Sequence, residues 1–210
     1  MKIEKIDHGL FRLLIPFEEE ITTTVYAVEN EGDVYLIDSA TYAEDVDRWI
    51  LPALQALGIG LERVRALLLT HDHSDHAGGA ERLLECLPNA ALRASFSVKS
   101  PRFSMLSDGE LLTKELQALM LSGHTENSMA FLHIPTKTLL SGDCLQLKGI
   151  GKYRSGVSFP DWYRSSIRRL KEMDLERIVA AHEYDPLGSV AEGKEAVTAY
   201  LDACLEALEK

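Results

Sequence analysis

The chain has 210 residues, 46% of them hydrophobic, and a formal net charge of −11. That is enough for one core, so residues 1–210 are expected to form a single domain. The acidity argues against nucleic-acid partners, whose phosphates need Lys and Arg, and three cysteines without a CxxC (Cys86, Cys144, Cys204) argue against a disulfide framework.

Residues 1–7 alternate charged and apolar side chains, unlike a secretory signal, and no run approaches the ~20 apolar residues of a membrane span. A soluble cytoplasmic protein is expected. Residues 2–39 have a strand-like pattern. Ile3 and Ile6 open it, residues 10–15 are an apolar run ended by Pro16, and residues 21–28 are rich in β-branched side chains. A turn at Glu31-Gly32-Asp33 leads to a buried strand over 34–37, with Asp38 at its end. These strands read as an antiparallel meander. Residues 42–57 carry Val46, Trp49, Ile50, Ala53, Leu54 and Leu57 at helical spacing, with Pro52 expected to kink or restart the helix.

Residues 64–70 read as a strand, 80–86 as a short helix stopped by Pro88, and 90–94 as another strand. Residues 96–108 read as a loop. Residues 111–121 favour strand, and 129–134 with 138–141 read as a hairpin across Pro135-Thr136-Lys137. Residues 161–173 read as a helix with Asp161 as N-cap and Trp162, Ile167 and Leu170 inside. A last strand is expected over 178–181, and a terminal helix from Val190 onward. This order suggests two halves of the same kind, an α/β fold with helices covering a two-sheet sandwich.

The densest signal is His71-Asp72-His73-Ser74-Asp75-His76, directly after the 64–70 strand. In α/β proteins, sites are usually built at the carboxyl ends of strands. Extended residues two apart point the same way, so His71 and His73 can share one metal. The chain then turns, and Asp75 and His76 can face a second. Imidazole and carboxylate suit zinc, iron or manganese. The plainer alternative is a solvated polar loop. Against it, Asp38, His124, Asp143 and His182 also each follow an expected strand, so aligned strands would bring all of them to one edge. His8 reads as a surface residue and His133 as a structural one.

Taken in order, Leu36-Ile37-Asp38-Ser39, the HxHxDH run, Ser122-Gly123-His124-Thr125, Ser141-Gly142-Asp143 and Ala180-Ala181-His182 resemble the metallo-β-lactamase fold superfamily over nearly the whole chain. The resemblance implies an αββα four-layer sandwich of two mixed β-sheets covered by helices. It implies that His71, His73 and His124 hold one metal, that Asp75, His76 and His182 hold the other, and that Asp143 bridges them. Asp38 would orient the cluster rather than ligate. A hydroxide between two zinc ions (or iron or manganese) would attack the substrate, with Asp75 shuttling the proton.

The glyoxalase II-like and lactonase-like branches are the nearest in pattern, without the glyoxalase II C-terminal domain. A small thioester, ester or lactone substrate is implied. The alternatives on the same scaffold are an iron-dependent persulfide dioxygenase-like oxidoreductase and a phosphodiesterase or nuclease. Glu126 and Glu183 stand where the family often has Pro and Gly, and are expected to face solvent. Lys152, Tyr153 and Arg154 lie in a basic stretch and are expected to contact an anionic group on the substrate. Cys144 is expected to be a buried neighbour of Asp143.

Overall fold

The structure is a computed structural model that describes residues 1–18, 21–151 and 156–209. The chain divides into two compact units, residues 1–106 and residues 107–210. The first is built on a seven-stranded sheet with strands in sequence order: β1 (Lys2–Asp7), β2 (Leu10–Glu18), β3 (Ile21–Asn30), β4 (Asp33–Ile37), β5 (Val64–Leu68), β6 (Ala91–Ala94) and β7 (Phe103–Met105). Strands β1 to β4 form the expected antiparallel meander, and β4 to β7 run parallel.

Helical segments return the chain from β4 to β5 and from β5 to β6. Pro52 disturbs the 42–57 helix without ending it. It starts as α1 (Ala43–Asp45), passes through a π-helical turn (Val46–Ile50) and restarts as α2 (Leu51–Ala56), with Pro52 in its first turn. Backbone dihedrals stay helical across the junction, so the π-helical turn lies where the ladder must absorb the N–H that Pro52 lacks. A four-residue helix, α3 (Ser74–Ala77), and α4 (Ala80–Cys86) follow β5. Val46, Ile50, Ala53, Leu54, Leu83 and Leu84 pack with Leu13, Val25, Leu36, Leu67 and Leu92 of the sheet to form the core of this unit.

The second unit has a five-stranded sheet in the order β12-β11-β10-β9-β8. Its strands are β8 (Leu116–Met120), β9 (Met129–His133), β10 (Thr138–Gly142), β11 (Arg177–Ala180) and β12 (Val190–Glu192). Only β10 and β11 are parallel, and α5 (Pro160–Lys171) connects them. The last α-helix among the described residues is α6 (Lys194–Glu206). Tyr163, Ile167 and Leu170 of α5 and Val197, Tyr200, Leu201 and Cys204 of α6 pack on Leu119, Ala130, Leu139 and Ile178. The α/β class with two mixed sheets and covering helices is therefore what the structure has. Among the described residues, no helix is long and apolar enough to cross a membrane.

Four local expectations are corrected. The 96–108 loop contains β7, whose three residues leave no periodicity to detect. The strand ending before His182 is not the last, because Val190–Glu192 pairs antiparallel with β11. In α5, Phe159 occupies the N-cap and Pro160 the first turn, so Asp161 is not the cap and pairs with Arg164 instead. Trp162 lies outside, its ring stacked on Phe159 at 4.7 Å, and Tyr163 takes the inner position.

Asp174, just beyond α5, ties two parts of the second unit together. It accepts from Lys137 in the β9–β10 turn and from Lys194 of α6 at 2.7 Å. The hydrogen bond from Lys137, then that from Lys194, lowers its carboxyl to about 2, below the ordinary 3.8. The carboxylate therefore favours the fold above about pH 4, and this contribution fades as pH falls towards 2. Asp174→Asn is expected to lower Tm at pH 7 and to match wild type at pH 2. The groups are exposed, so the difference should shrink in high salt. Thermal melts across this pH range would show it.

Candidate metal centre

In the first unit the parallel pairing of β4 and β5 sets Ile37 opposite Leu68, so the chain leaves both strands at the same level. Asp38 leaves one and Thr70 the other. Asp38 is fully buried, with a left-handed φ of 65° that Asp tolerates better than most residues. Its carboxylate accepts from the Thr70 N–H at 2.8 Å, from the Thr70 hydroxyl at 2.9–3.0 Å and from His76 Nδ1 at 2.7 Å. The single hydroxyl hydrogen of Thr70 is thus committed to Asp38. That hydroxyl can only accept from His71 Nδ1, 3.0 Å away. Both imidazoles carry their hydrogen on Nδ1 and present the Nε2 lone pair.

His73 is still extended (φ −68°, ψ 147°), and the chain turns into α3 directly after it. The alternation followed by a turn, read from the sequence, is the geometry found. The rings of His73 and His76 lie 4.5 and 4.2 Å from that of His71. His76 Nε2 is 3.4 Å from Asp75 Oδ2. Backbone contacts fasten the turn. Ser39 donates to the His76 carbonyl through its N–H (2.7 Å) and hydroxyl (2.9 Å), and Thr23 donates to the Asp75 carbonyl at 2.9 Å. A Cβ at Gly78 or Gly79 would overlap the carbonyl oxygen of Thr41 or Ser39, so this approach requires glycine.

In the second unit, His124 follows β8, Asp143 follows β10 and His182 follows β11. The β10–β11 pairing places Gly142 opposite Ala180, and Gly142 turns the chain with a φ of 52°. Asp143 Oδ2 lies 3.6 Å from His124 Nε2, and Asp143 Oδ1 lies 3.4 Å from His182 Nε2. One carboxylate therefore offers a separate oxygen to each of two imidazoles. His124 Nδ1 is 2.8 Å from the Gly156 carbonyl. A carbonyl only accepts, so this ring too presents Nε2.

These nitrogen–oxygen separations exceed the ~2.9 Å of a good hydrogen bond. Two ligand atoms each about 2.1 Å from a tetrahedral metal would be about 3.4 Å apart. The donor set therefore fits a divalent cation better than it fits direct hydrogen bonding, and imidazole with carboxylate suits zinc, iron or manganese.

Lys152, Tyr153 and Arg154 lie outside the described residues. Glu126 and Glu183 are exposed as expected, and Glu183 accepts from Ser189. The basic face of α5 is an ion-paired surface, with Arg164 on Asp161, Arg169 on Asp108 and Lys171 on Asp202. Cys144 is buried, His8 is exposed, and His133 Nδ1 sits 2.7 Å from the Thr136 hydroxyl. Thr70, Gln146 and Tyr163 escaped the sequence reading. The available signals were a polar residue closing the apolar 64–69 run beside His71, and an amide within Cys144-Leu145-Gln146-Leu147.

Residues 20–95 match the family model described as the metallo-beta-lactamase superfamily. A hydroxyacylglutathione hydrolase of Prochlorococcus marinus (strain MIT 9312) is 30% identical over 168 residues, 76% of this chain and 64% of that protein. Another, from Pectobacterium carotovorum subsp. carotovorum (strain PC1), is 32% identical over 138 residues, 63% of this chain and 53% of that protein. The chain thus spans less than two thirds of the length of these curated relatives. Among solved structures, a B3 metallo-beta-lactamase with an active-site glutamic acid superposes with a TM-score of 0.76 at 19% identity, covering 100% of this chain and 89% of that one. The rubredoxin oxygen:oxidoreductase of Desulfovibrio gigas superposes with a TM-score of 0.74 at 18% identity, covering 99% of this chain and 62% of that one. With sequence and fold pointing the same way, the chain belongs to the metallo-β-lactamase superfamily.

Proposed function

We propose that the chain is a metal-dependent hydrolase of a small thioester, ester or lactone, working at a two-metal centre with residues 1–210 acting as one metallo-β-lactamase-like domain. His71, His73 and His124 would hold one cation, and Asp75, His76 and His182 the other. Asp143 would join them. The observation that carries this reading is the Asp143 carboxylate, with Oδ2 3.6 Å from one imidazole nitrogen and Oδ1 3.4 Å from another. Two zinc ions are the first expectation, and iron or manganese would satisfy the same donors.

Bound there, the cations would supply Lewis acidity and a water acidified to near neutrality. The protein's own contributions are positional. Asp38 and Thr70 hold His71 and His76 with Nε2 presented, so neither of these two imidazoles has to change tautomer to ligate. Asp75, whose side chain is 16% exposed, would take a proton from the attacking water and return it to the leaving group. Lys152, Tyr153 and Arg154 would meet an anionic group of the substrate. The hydroxyacylglutathione hydrolases among the relatives support an acyl–sulfur bond as the target. The reading calls for neither nucleic acid nor membrane. It takes the cytoplasm as the compartment.

Metal content by mass spectrometry is the first test. About two zinc ions per wild-type chain and fewer in Asp143→Ala, with turnover on a thioester and lactone panel falling more than about a hundredfold, are expected. About one iron per chain, untouched by that substitution, would sink the two-metal reading and redirect attention to oxygen-dependent sulfur chemistry.

Asp38→Ala removes the acceptor that orients two imidazoles without removing a ligand. Its affinity for zinc, measured by competition with a chromophoric chelator, should fall roughly 10–100-fold. Wild-type affinity would show that Asp38 does not position the ligands.

A further inference from the structure

Among the described residues, two groups lie within hydrogen-bond distance of His124 Nδ1. One is the Gly156 carbonyl at 2.8 Å, and the other is the side-chain amide of Gln146, lying with Nε2 at 2.7 Å. The carbonyl can only accept, so Nδ1 carries hydrogen. A second donor cannot sit 2.7 Å from an N–H. The remaining amide contact, from Nε2 to the Asp143 carbonyl, is 3.5 Å long and too weak to dictate the orientation. The short contact decides, and it requires an acceptor.

We infer that Gln146 is a positioning residue for His124, with its amide turned so that Oε1 shares the Nδ1 hydrogen with the Gly156 carbonyl and commits Nε2 to the metal. This rests on the two-metal reading above and assigns one of its ligands a dedicated partner.

The surroundings fit that task. Gln146 is 1% exposed, so its amide must find its partners inside the protein. Its backbone is clamped from both sides by one group: the Gln146 N–H donates to the Tyr163 hydroxyl at 3.0 Å, and that hydroxyl donates to the Gln146 carbonyl at 2.8 Å. Tyr163 also backs the His124 loop. At Gly123 (φ 150°) a Cβ would stand 2.6 Å from Tyr163 Cβ. One buried tyrosine thus sets the spacing between the loop that carries the ligand and the loop that carries its orienting amide.

Two measurements test the inference. In metal-free, isotope-labelled wild type, imidazole NMR should show His124 with hydrogen on Nδ1. In Gln146→Met that N–H should exchange faster and the tautomers should mix. In chelator competition, Gln146→Met should bind one of the two metal equivalents roughly 10–100-fold more weakly. Gln146→Glu, which restores an acceptor, should recover most of that loss. Melting of the metal-free variants reports whether they are folded.

Hydrogen on Nε2 in the wild type would overturn the inference. So would wild-type affinity for both equivalents in Gln146→Met. If wild type binds fewer than two metals, the functional reading fails. The NMR comparison still decides on Gln146: an Nδ1 hydrogen that does not respond to Gln146→Met rejects its role.

Discussion

A buried carboxylate with all its strong donors inside the protein governs the first unit. Asp38 has no exposed surface, and a charge in that position is tolerable only when fully hydrogen-bonded. Thr70 supplies two of those bonds and His76 the third. The satisfaction of Asp38 and the tautomers of His71 and His76 are therefore one arrangement. It stands on the parallel register of β4 and β5, because a shift of one residue would carry Asp38 away from Thr70 and the imidazoles.

The second unit reaches the same end by different chemistry. His124 is oriented by a backbone carbonyl and an amide, both neutral, whereas His76 leans on a carboxylate. A charged partner raises the basicity of an imidazole more than a neutral one does. His76 and His124 thus differ in donor strength although their residue types are the same.

Much of this was legible in the sequence because strand ends carry composition signals. Long apolar runs located β3, β4, β5 and the β9–β10 hairpin, and three of the proposed ligands open directly beyond a strand: Asp143 one residue past β10, His182 two past β11 and His71 three past β5. Legibility failed where the signal was short or where context reversed it. Phe103–Met105 and Val190–Glu192 are edge strands of three residues, defined by the neighbours they pair with rather than by their own pattern. Trp162 looked like a core residue, yet stacking on Phe159 satisfies its ring at the surface while Tyr163 goes inside to use its hydroxyl. Orienting residues were the hardest class. Thr70 and Gln146 are ordinary polar residues until the imidazole each one faces is known.

The turn that carries Asp75 and His76 is fastened against carbonyl oxygens of the chain after β4, at Ser39 and Thr41, and two glycines allow the approach. Carbonyl oxygens belong to every residue type. The contact itself therefore makes no demand on the side chain at position 41, while positions 78 and 79 cannot accept even a methyl group. In the history of this lineage the contact would be recorded unevenly, as a fixed pair of glycines facing a changeable partner. A search for co-varying positions would pass over it, since only one side of the contact is written in side chains.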